Sequence, residues 1–306
     1  GNFEELILFG RDFITKDEQR QNEIMLSDDD LILAFTQLAF NHNITWNHAH
    51  PFASFAVTFN TVQTRVTLIH PNCSANQQMR AFIRTHAKKD FSLSDFCQKP
   101  EEQLLKAAVE NKKNIVVVGA TQSGKTTLMG CLLQHIQQDE HVIILEDTHE
   151  IKRKSPSTTS MLADALDPKR SLHEYCAMAL RMSPDRIVLG EIRSREVVPL
   201  ILAFNSGHRG GLTSLHAENV VDAIERLALL FHLYSGSNQL PHNKVVELIC
   251  RNIDCIVMVK DKQVTEIATI IGAENGRCLY ESSWLKEPPA KNYNEPEQWW
   301  KKASGH

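Results

Sequence analysis

Among the 306 residues no apolar run approaches the roughly 18 needed to cross a bilayer, and stretches such as Ile115 to Val118 and Pro199 to Phe204 stop far short. No basic start is followed by an apolar signal core. Positive charge is not in excess: Lys plus Arg total 33 against 37 Asp plus Glu, a net charge of −4 that argues against a dedicated DNA-wrapping protein. The seven cysteines (Cys73, Cys97, Cys131, Cys176, Cys250, Cys255, Cys278) include no CxxC pair, which removes zinc spacing and fits a reducing compartment. No repeat recurs at solenoid periods. What is present is a globular composition, 42% hydrophobic and 23% charged, in a chain long enough for about two domains at roughly 150 residues each. These features predict a soluble, intracellular protein.

Residues 1–95 read as a small α+β unit. Leu31 to Phe40 has a helical look, and two alternating segments follow, Phe55, Val57, Phe59 and then Val62, Val66, Leu68, as expected of strands with one buried face. Phe91 to Pro100 has no clear period, which places a boundary there with 96–100 as linker. Over 101–285 the pattern changes to short β-branched strands alternating with helices. Ile115 to Val118, Val142 to Leu145 and Ile187 to Leu189 are continuously apolar, the signature of a parallel sheet covered on both faces. Helices are expected from Pro100, from Lys125, from a Ser171/Glu174 capping box and over Glu218 to Leu230, with a hairpin at Asn275-Gly276. Residues 286–306, with three prolines and Trp299-Trp300, read as a polar tail.

Directly after the Ile115 to Val118 strand, the chain reads GATQSGKTT: Gly119, Ala120, Thr121, Gln122, Ser123, Gly124, Lys125, Thr126, Thr127. Its GxxxxGK[ST] spacing between strand and helix is that of a P-loop. The glycines let backbone N–H groups converge on phosphate oxygens, the helix N-terminus adds its positive dipole end, Lys125 supplies a point charge and Thr126 a hydroxyl for Mg²⁺. Such a site also needs carboxylates at the carboxyl ends of neighbouring strands. Two places offer them: Glu146, Asp147 and Glu150 after the Val142 strand, and Glu191, followed by Arg193, after the Arg186 strand. A P-loop by itself leaves the reaction open among kinases, motors and GTPases.

Between Arg181 and Leu227 the chain reads RMSPDRIVLGEIRSREVVPLILAFNSGHRGGLTSLHAENVVDAIERL. With GATQSGKTT as Walker A, LEDTHE as aspartate box, VLGEIR as atypical Walker B and GHRGGLTSLHAENVVDAIERL as histidine box, it resembles the type II/type IV secretion ATPase family. The LEDTxE form and the eight-residue step from His208 to His216 look more like the conjugation, type IV secretion and Tad-pilus branches. The retraction branch's AIRNLIRE-type segment and the type II tetracysteine element are absent. The resemblance implies an α/β fold with a RecA-like P-loop domain and a smaller N-terminal α+β, PAS-like domain, with ATP and Mg²⁺ between them. It implies catalytic roles for Glu191, Glu150, Lys125 and His216, the last sensing the γ-phosphate, and Mg²⁺ held through ATP by Thr126 and Glu191. Arg65 and Arg84, from VQTRVTLIHP and AFIRTH, align with phosphate-reaching arginines, and Arg193, Glu146 and His208 join the nucleotide-binding set. It further implies a homo-hexamer, cytoplasmic and peripheral to a bacterial inner membrane, working on inner-membrane components. A nucleic-acid motor is possible by fold, but the neutral-to-acidic charge and the lack of a basic stripe argue against stable nucleic-acid binding. The opening Gly1-Asn2 suggests a fragment without the family's N-terminal extension.

Two other readings stay open at this point. A small-molecule kinase would need an arginine-bearing lid, for which the segment between Asp147 and Ser171 is polar and short. A nucleotide-gated docking platform with negligible turnover would suit a chain missing a catalytic acid, whereas Glu150 and Glu191 are both present.

Overall fold

The computed structural model describes residues 3–9, 12–15, 21–23, 27–59, 62–86, 91–164, 167–236 and 240–284. Its first unit is an antiparallel sheet of β1 (Phe3–Phe9), β2 (Asp12–Thr15), β3 (Gln21–Glu23), β4 (Phe52–Phe59), β5 (Val62–Ile69) and β6 (Arg80–His86), in the order β3-β2-β1-β6-β5-β4. One helix, α1 (Asp28–Asn41), covers it. Ser27 Oγ accepts the Asp30 N–H at 3.1 Å, closing a capping box, and three aspartates in the first turn suit the helix dipole. The helix buries Leu31, Phe35 and Ala39, spaced by one turn, against Ala53, Phe55, Val57, Val66 and Leu68, with Trp46 closing one end and donating its indole N–H to the Pro51 carbonyl. Because side chains alternate along a strand, burying Val66 and Leu68 turns Arg65 to the opposite face, and β5–β6 register sets Arg84 directly across from it.

The second unit runs α2 (Lys99–Glu110), β7 (Ile115–Val118), α3 (Lys125–Leu133), β8 (Val142–Glu146), β9 (Thr158–Leu162), α4 (Leu172–Ala179), β10 (Arg186–Leu189), α5 (Val197–Asn205), β11 (Leu212–Leu215), α6 (Val220–Tyr234), α7 (His242–Asn252), β12 (Cys255–Lys260), β13 (Gln263–Glu274) and β14 (Arg277–Trp284). The sheet order is β14-β13-β12-β7-β11-β10-β8-β9, parallel from β12 to β9 with an antiparallel edge of β13 and β14. The continuous apolar strands split by alternation. Val116, Val118, Ile143, Leu145, Ile187 and Leu189 pack toward α4, α5, α6 and α7, while Ile115, Val117, Val142, Ile144 and Val188 pack toward α2 and α3. This is the α/β, P-loop arrangement expected, with helices on both faces.

Several elements differ from the sequence reading. Phe91, Leu93, Phe96 and Cys97, expected to end the first unit and open a linker, pack instead with Leu105, Ile115 and Leu128 in the second core. The period is irregular because the segment folds as a short 3-10 turn (Leu93–Asp95) that inserts apolar side chains under α2 and α3. The segment expected to be too short for a lid supplies β9, an edge strand pinned beside β8, and Arg153 ties its approach to the Gln137 and Glu140 carbonyls. The Asn275-Gly276 hairpin is present, with positive φ at both residues (51° and 76°) and Glu274 opposite Arg277. Residues 286–306, including the Trp299-Trp300 pair, lie outside the described residues.

At the amino edge of the parallel strands, Arg186 forms a bidentate pair with Glu140 (2.9 and 2.8 Å) and donates to the Val109 carbonyl at the end of α2 (2.7 Å). Burial alone would raise the Glu140 carboxyl, but hydrogen bonds from Arg186 and Lys112 outweigh it and hold it at about 2. Arg186→Ala leaves the buried Glu140 carboxylate with the half-exposed Lys112 ammonium alone, so denaturant unfolding should show a loss of about 3 kcal/mol. Since the folded value lies below the usual 4.5, the stabilisation is present above about pH 4.5 and is lost as pH falls toward 2. Glu140→Gln should therefore flatten that part of the acid-unfolding curve.

Candidate functional site

The P-loop leaves β7 at its carboxyl end and enters α3. Its bend is tight enough that a Cβ on Gly119 would fall 2.2 Å from the Val259 carbonyl oxygen, and Gly124 caps α3 with φ +105°. The turn between β12 and β13 braces the loop from behind, the Lys262 N–H donating to the Ser123 carbonyl at 3.0 Å. Lys125, buried in the first turn of α3, folds back to donate from Nζ to the Gly119 and Ala120 carbonyls at 3.1 and 2.9 Å.

Strand order then builds the rest of the site. From β7 the neighbours are β11, β10 and β8, and each contributes side chains from the first few residues beyond its carboxyl end. Lys125 Nζ lies 3.1 Å from Nδ1 of His216, which follows β11. The same Nδ1 is 3.2 Å from the Gly119 carbonyl, and Nε2 lies 2.7 Å from Oε1 of Glu191, beyond β10. Arg193 donates to Glu191 Oε2 at 2.7 Å and to Asp147 Oδ2, beyond β8, at 2.6 Å. The result is one line of alternating charge, Lys125–His216–Glu191–Arg193–Asp147, across four strand ends.

Burial pushes the Lys125 ammonium down to about 8 even though Glu191 favours its charge. Burial and the Lys125 charge likewise push His216 below its usual value against the pull of Glu191, so the imidazole is neutral near pH 7. For Arg193, burial opposes the charge, but Glu191 and Asp147 outweigh it and raise the guanidinium.

A cleft of about 120 Å³ lies along this edge. It is lined by Thr121 to Thr126, Glu146, Asp147, Thr148, Glu150, Gly190, Glu191, Arg193, Ser214 and His216, and from the first unit by Arg65 and Arg84. Gly119, Ala120 and Thr127 do not line it. Glu146 lines it but spends Oε1 on the loop, accepting the Glu150 and Ile151 N–H groups at 3.0 and 2.8 Å. It thereby folds the segment that carries Glu150 back toward the cleft.

His208 lies elsewhere. It precedes β11 whereas His216 follows it, so the strand separates them and sets His208 at the amino edge, where Nδ1 is 3.3 Å from Ser206 Oγ. The expectation that His208 belongs to this cleft is corrected accordingly. Ser214, which motif reading passes over, brackets Glu191: its Oγ donates to the Gly190 carbonyl at 2.8 Å and its own carbonyl accepts the Ile192 N–H at 2.9 Å. Its signal in the sequence is a hydroxyl within a strand buried on both faces, two residues before His216.

For a nucleoside triphosphate with Mg²⁺ the donor set fits. The loop offers N–H groups and an ammonium, Thr126 a hydroxyl in the first turn of α3, and Glu191 a buried oxygen, Oε1, that sits close to His216 yet has no aligned hydrogen bond.

Burying the Lys125 charge is a cost that this fold carries. Lys125→Met should raise the stability of the ligand-free protein by about 2 kcal/mol at pH 7, the burial penalty less the lost carbonyl hydrogen bonds. The gain should be full below pH 8 and shrink between 8 and 10.5, where the unfolded chain still binds the proton the folded one has shed. Thermal midpoints of both proteins across that range measure it.

Known proteins share this architecture. The solved structure of the pilus retraction motor PilT with bound ADP superimposes with a TM-score of 0.64 over 94% of this chain and 80% of that one, at 18% identity, a likeness of fold. The type IV secretion system protein VirB11 of Bartonella henselae is 36% identical over 185 residues, 58% of this chain and 48% of that protein. The conjugal transfer protein TrbB of Rhizobium radiobacter is 32% identical over 194 residues, 61% of this chain and 57% of that protein. The matched stretch thus spans about half the length of these relatives. A family model described as type II/IV secretion system protein matches residues 53–277, from β4 through the histidine-bearing strand to the start of β14. With most of its length accounted for in this way, the chain belongs to the type II/IV secretion system protein family.

Proposed function

We propose that this chain is a Mg²⁺-dependent ATPase that drives a secretion, conjugation or pilus-assembly machine. The observation that carries the reading is the line of charge from Lys125 to Asp147 along the edge of the P-loop cleft. Membership of the family and the curated relatives point the same way, to the conjugation and type IV secretion branches.

The triphosphate lies in the P-loop, its β- and γ-oxygens receiving loop N–H groups and the Lys125 ammonium, which exchanges the Gly119 and Ala120 carbonyls for a stronger anionic partner. That exchange also releases His216 Nδ1, so a neutral imidazole between Lys125 and Glu191 is placed to register whether a phosphate is present. Glu191 accepts the proton of the attacking water as its oxygen adds to the γ-phosphorus and the bond to the β-phosphate oxygen breaks. Glu150, brought back toward the cleft by Glu146, orients that water. Mg²⁺, held by Thr126 and through an intervening water by Glu191, would neutralise charge on the phosphate oxygens. From the first unit, Arg65 and Arg84 face each other in cross-strand register. Like charges so placed repel, and an anion between them turns repulsion into attraction. Loss of the γ-phosphate then weakens the hold between the two units.

In its finer form the reading is a homo-hexamer in the cytoplasm, acting on inner-membrane components from the membrane surface. Among the described residues no helix is long and apolar enough to cross a membrane.

Phosphate release under saturating Mg²⁺ and ATP tests the assignment. Lys125→Ala should lower turnover by about 10²-fold or more, and turnover within threefold of the unaltered protein would overturn the reading. Glu191→Gln should nearly stop turnover while keeping nucleotide affinity. Arg65→Ala and Arg84→Ala should each cost about tenfold with folding intact, matching the loss of a charge-assisted contact. Light scattering against protein concentration reads the hexamer.

A further inference from the structure

The main chain around Glu191 is held on both sides by Ser214, through the Gly190 carbonyl and the Ile192 N–H. What remains free is the carboxylate's own torsions, and those decide which oxygen meets the cleft. One oxygen, Oε2, is taken by Arg193 at 2.7 Å, while Oε1, 2.7 Å from His216 Nε2, is buried without an aligned hydrogen bond. Arg193 is itself oriented by a second carboxylate, Asp147 Oδ2, at 2.6 Å, 46 residues earlier in the chain and one strand away. The Arg193 and Asp147 side chains are 53% and 40% exposed, so this ion pair adds little to stability. Its geometric effect is larger, because a planar guanidinium bonded at both ends cannot rotate without breaking one bond.

We infer that Asp147 is a positioning residue that, through Arg193, fixes Glu191 so that Oε1 is the oxygen presented to the attacking water. The inference rests on the reading of Glu191 as the proton acceptor in ATP hydrolysis. Asp147 is thereby a spacer between strand ends: it reaches across to the end of the neighbouring strand to hold the arginine, leaving Glu146 to hold the loop and Glu150 to face the cleft. The role also accounts for two acidic residues in succession at the end of β8, one turned to backbone N–H groups and the other to a guanidinium.

Steady-state ATP hydrolysis, affinity for a non-hydrolysable ATP analogue and thermal midpoints, measured together, test it. Asp147→Ala should lower kcat at least tenfold while KM, analogue affinity and midpoint stay within twofold or two degrees of the unaltered protein. Asp147→Asn, which keeps an acceptor oxygen, should recover kcat to within threefold. Arg193→Lys, whose ammonium lacks the rigid planar fork that fixes two carboxylates relative to each other, should behave like Asp147→Ala. The losses should not add: Asp147→Ala combined with Arg193→Ala should be no slower than Arg193→Ala. If Asp147→Ala fails to fold, Asp147→Asn and Arg193→Lys decide by the same criteria. Unaltered kcat in Asp147→Ala, additive losses, or a loss confined to KM and analogue affinity would each overturn the inference, the last by making Asp147 a nucleotide contact. Should Glu191→Gln also leave turnover unchanged, the reading of the site fails with it. If Glu191→Gln stops turnover and Asp147→Ala does not, only the positioning role is lost.

Discussion

A buried ammonium sets the terms for the cleft. Lys125 sits at the start of α3 with its charge out of water, and a cation so placed needs partners. It finds two carbonyls of its own loop and the imidazole of His216, and through that imidazole the carboxylate of Glu191. Everything beyond follows the same requirement: Glu191 needs a cation, Arg193 supplies it, and Arg193 in turn needs a second anion, supplied by Asp147. The protein thus carries a balanced line of charge whose first member is the one group a phosphate would draw away.

Parallel pairing makes that line possible. Strands running the same way present their carboxyl ends along one edge, spaced by about 4.8 Å, which a pair of polar side chains can span. Because β7 is flanked by β11 and not by β8, the histidine that follows β11 reaches the P-loop lysine, and the carboxylates arrive in the order of their strands. At the opposite edge the Arg186–Glu140 pair locks β10 to the turn before β8 and to the end of α2, so a rigid scaffold underlies the functional rim. The two edges divide the work, stability at one and chemistry at the other.

The first unit meets the rim through two arginines on one face of its sheet. Their placement depends on α1, since burying Leu31, Phe35 and Ala39 against Val66 and Leu68 dictates which face of β5 is left for Arg65. A packing decision made on the far side of a sheet therefore sets where a cation stands relative to the P-loop.

Local chemistry made much of this legible in the residues. GATQSGKTT after an apolar strand, acidic residues at two strand ends, alternation in β4 and β5 and the Asn275-Gly276 turn are all short-range signals, read from spacing of a few residues. They were enough for the fold class and for most side chains that line the cleft. What they could not convey depends on contacts distant in sequence. The irregular segment from Phe91 to Cys97 belongs to the second core because α2 and α3 cover it, a fact no local period carries. His208 and His216 share a motif but are parted by the length of β11, and only strand direction tells which of them reaches Lys125. Asp147 gains a partner 46 residues away because β8 and β10 are neighbours in register. Sequence by itself determined which chemical groups this protein has and where each strand delivers them; strand order, a property of the whole sheet, decided which of those groups touch.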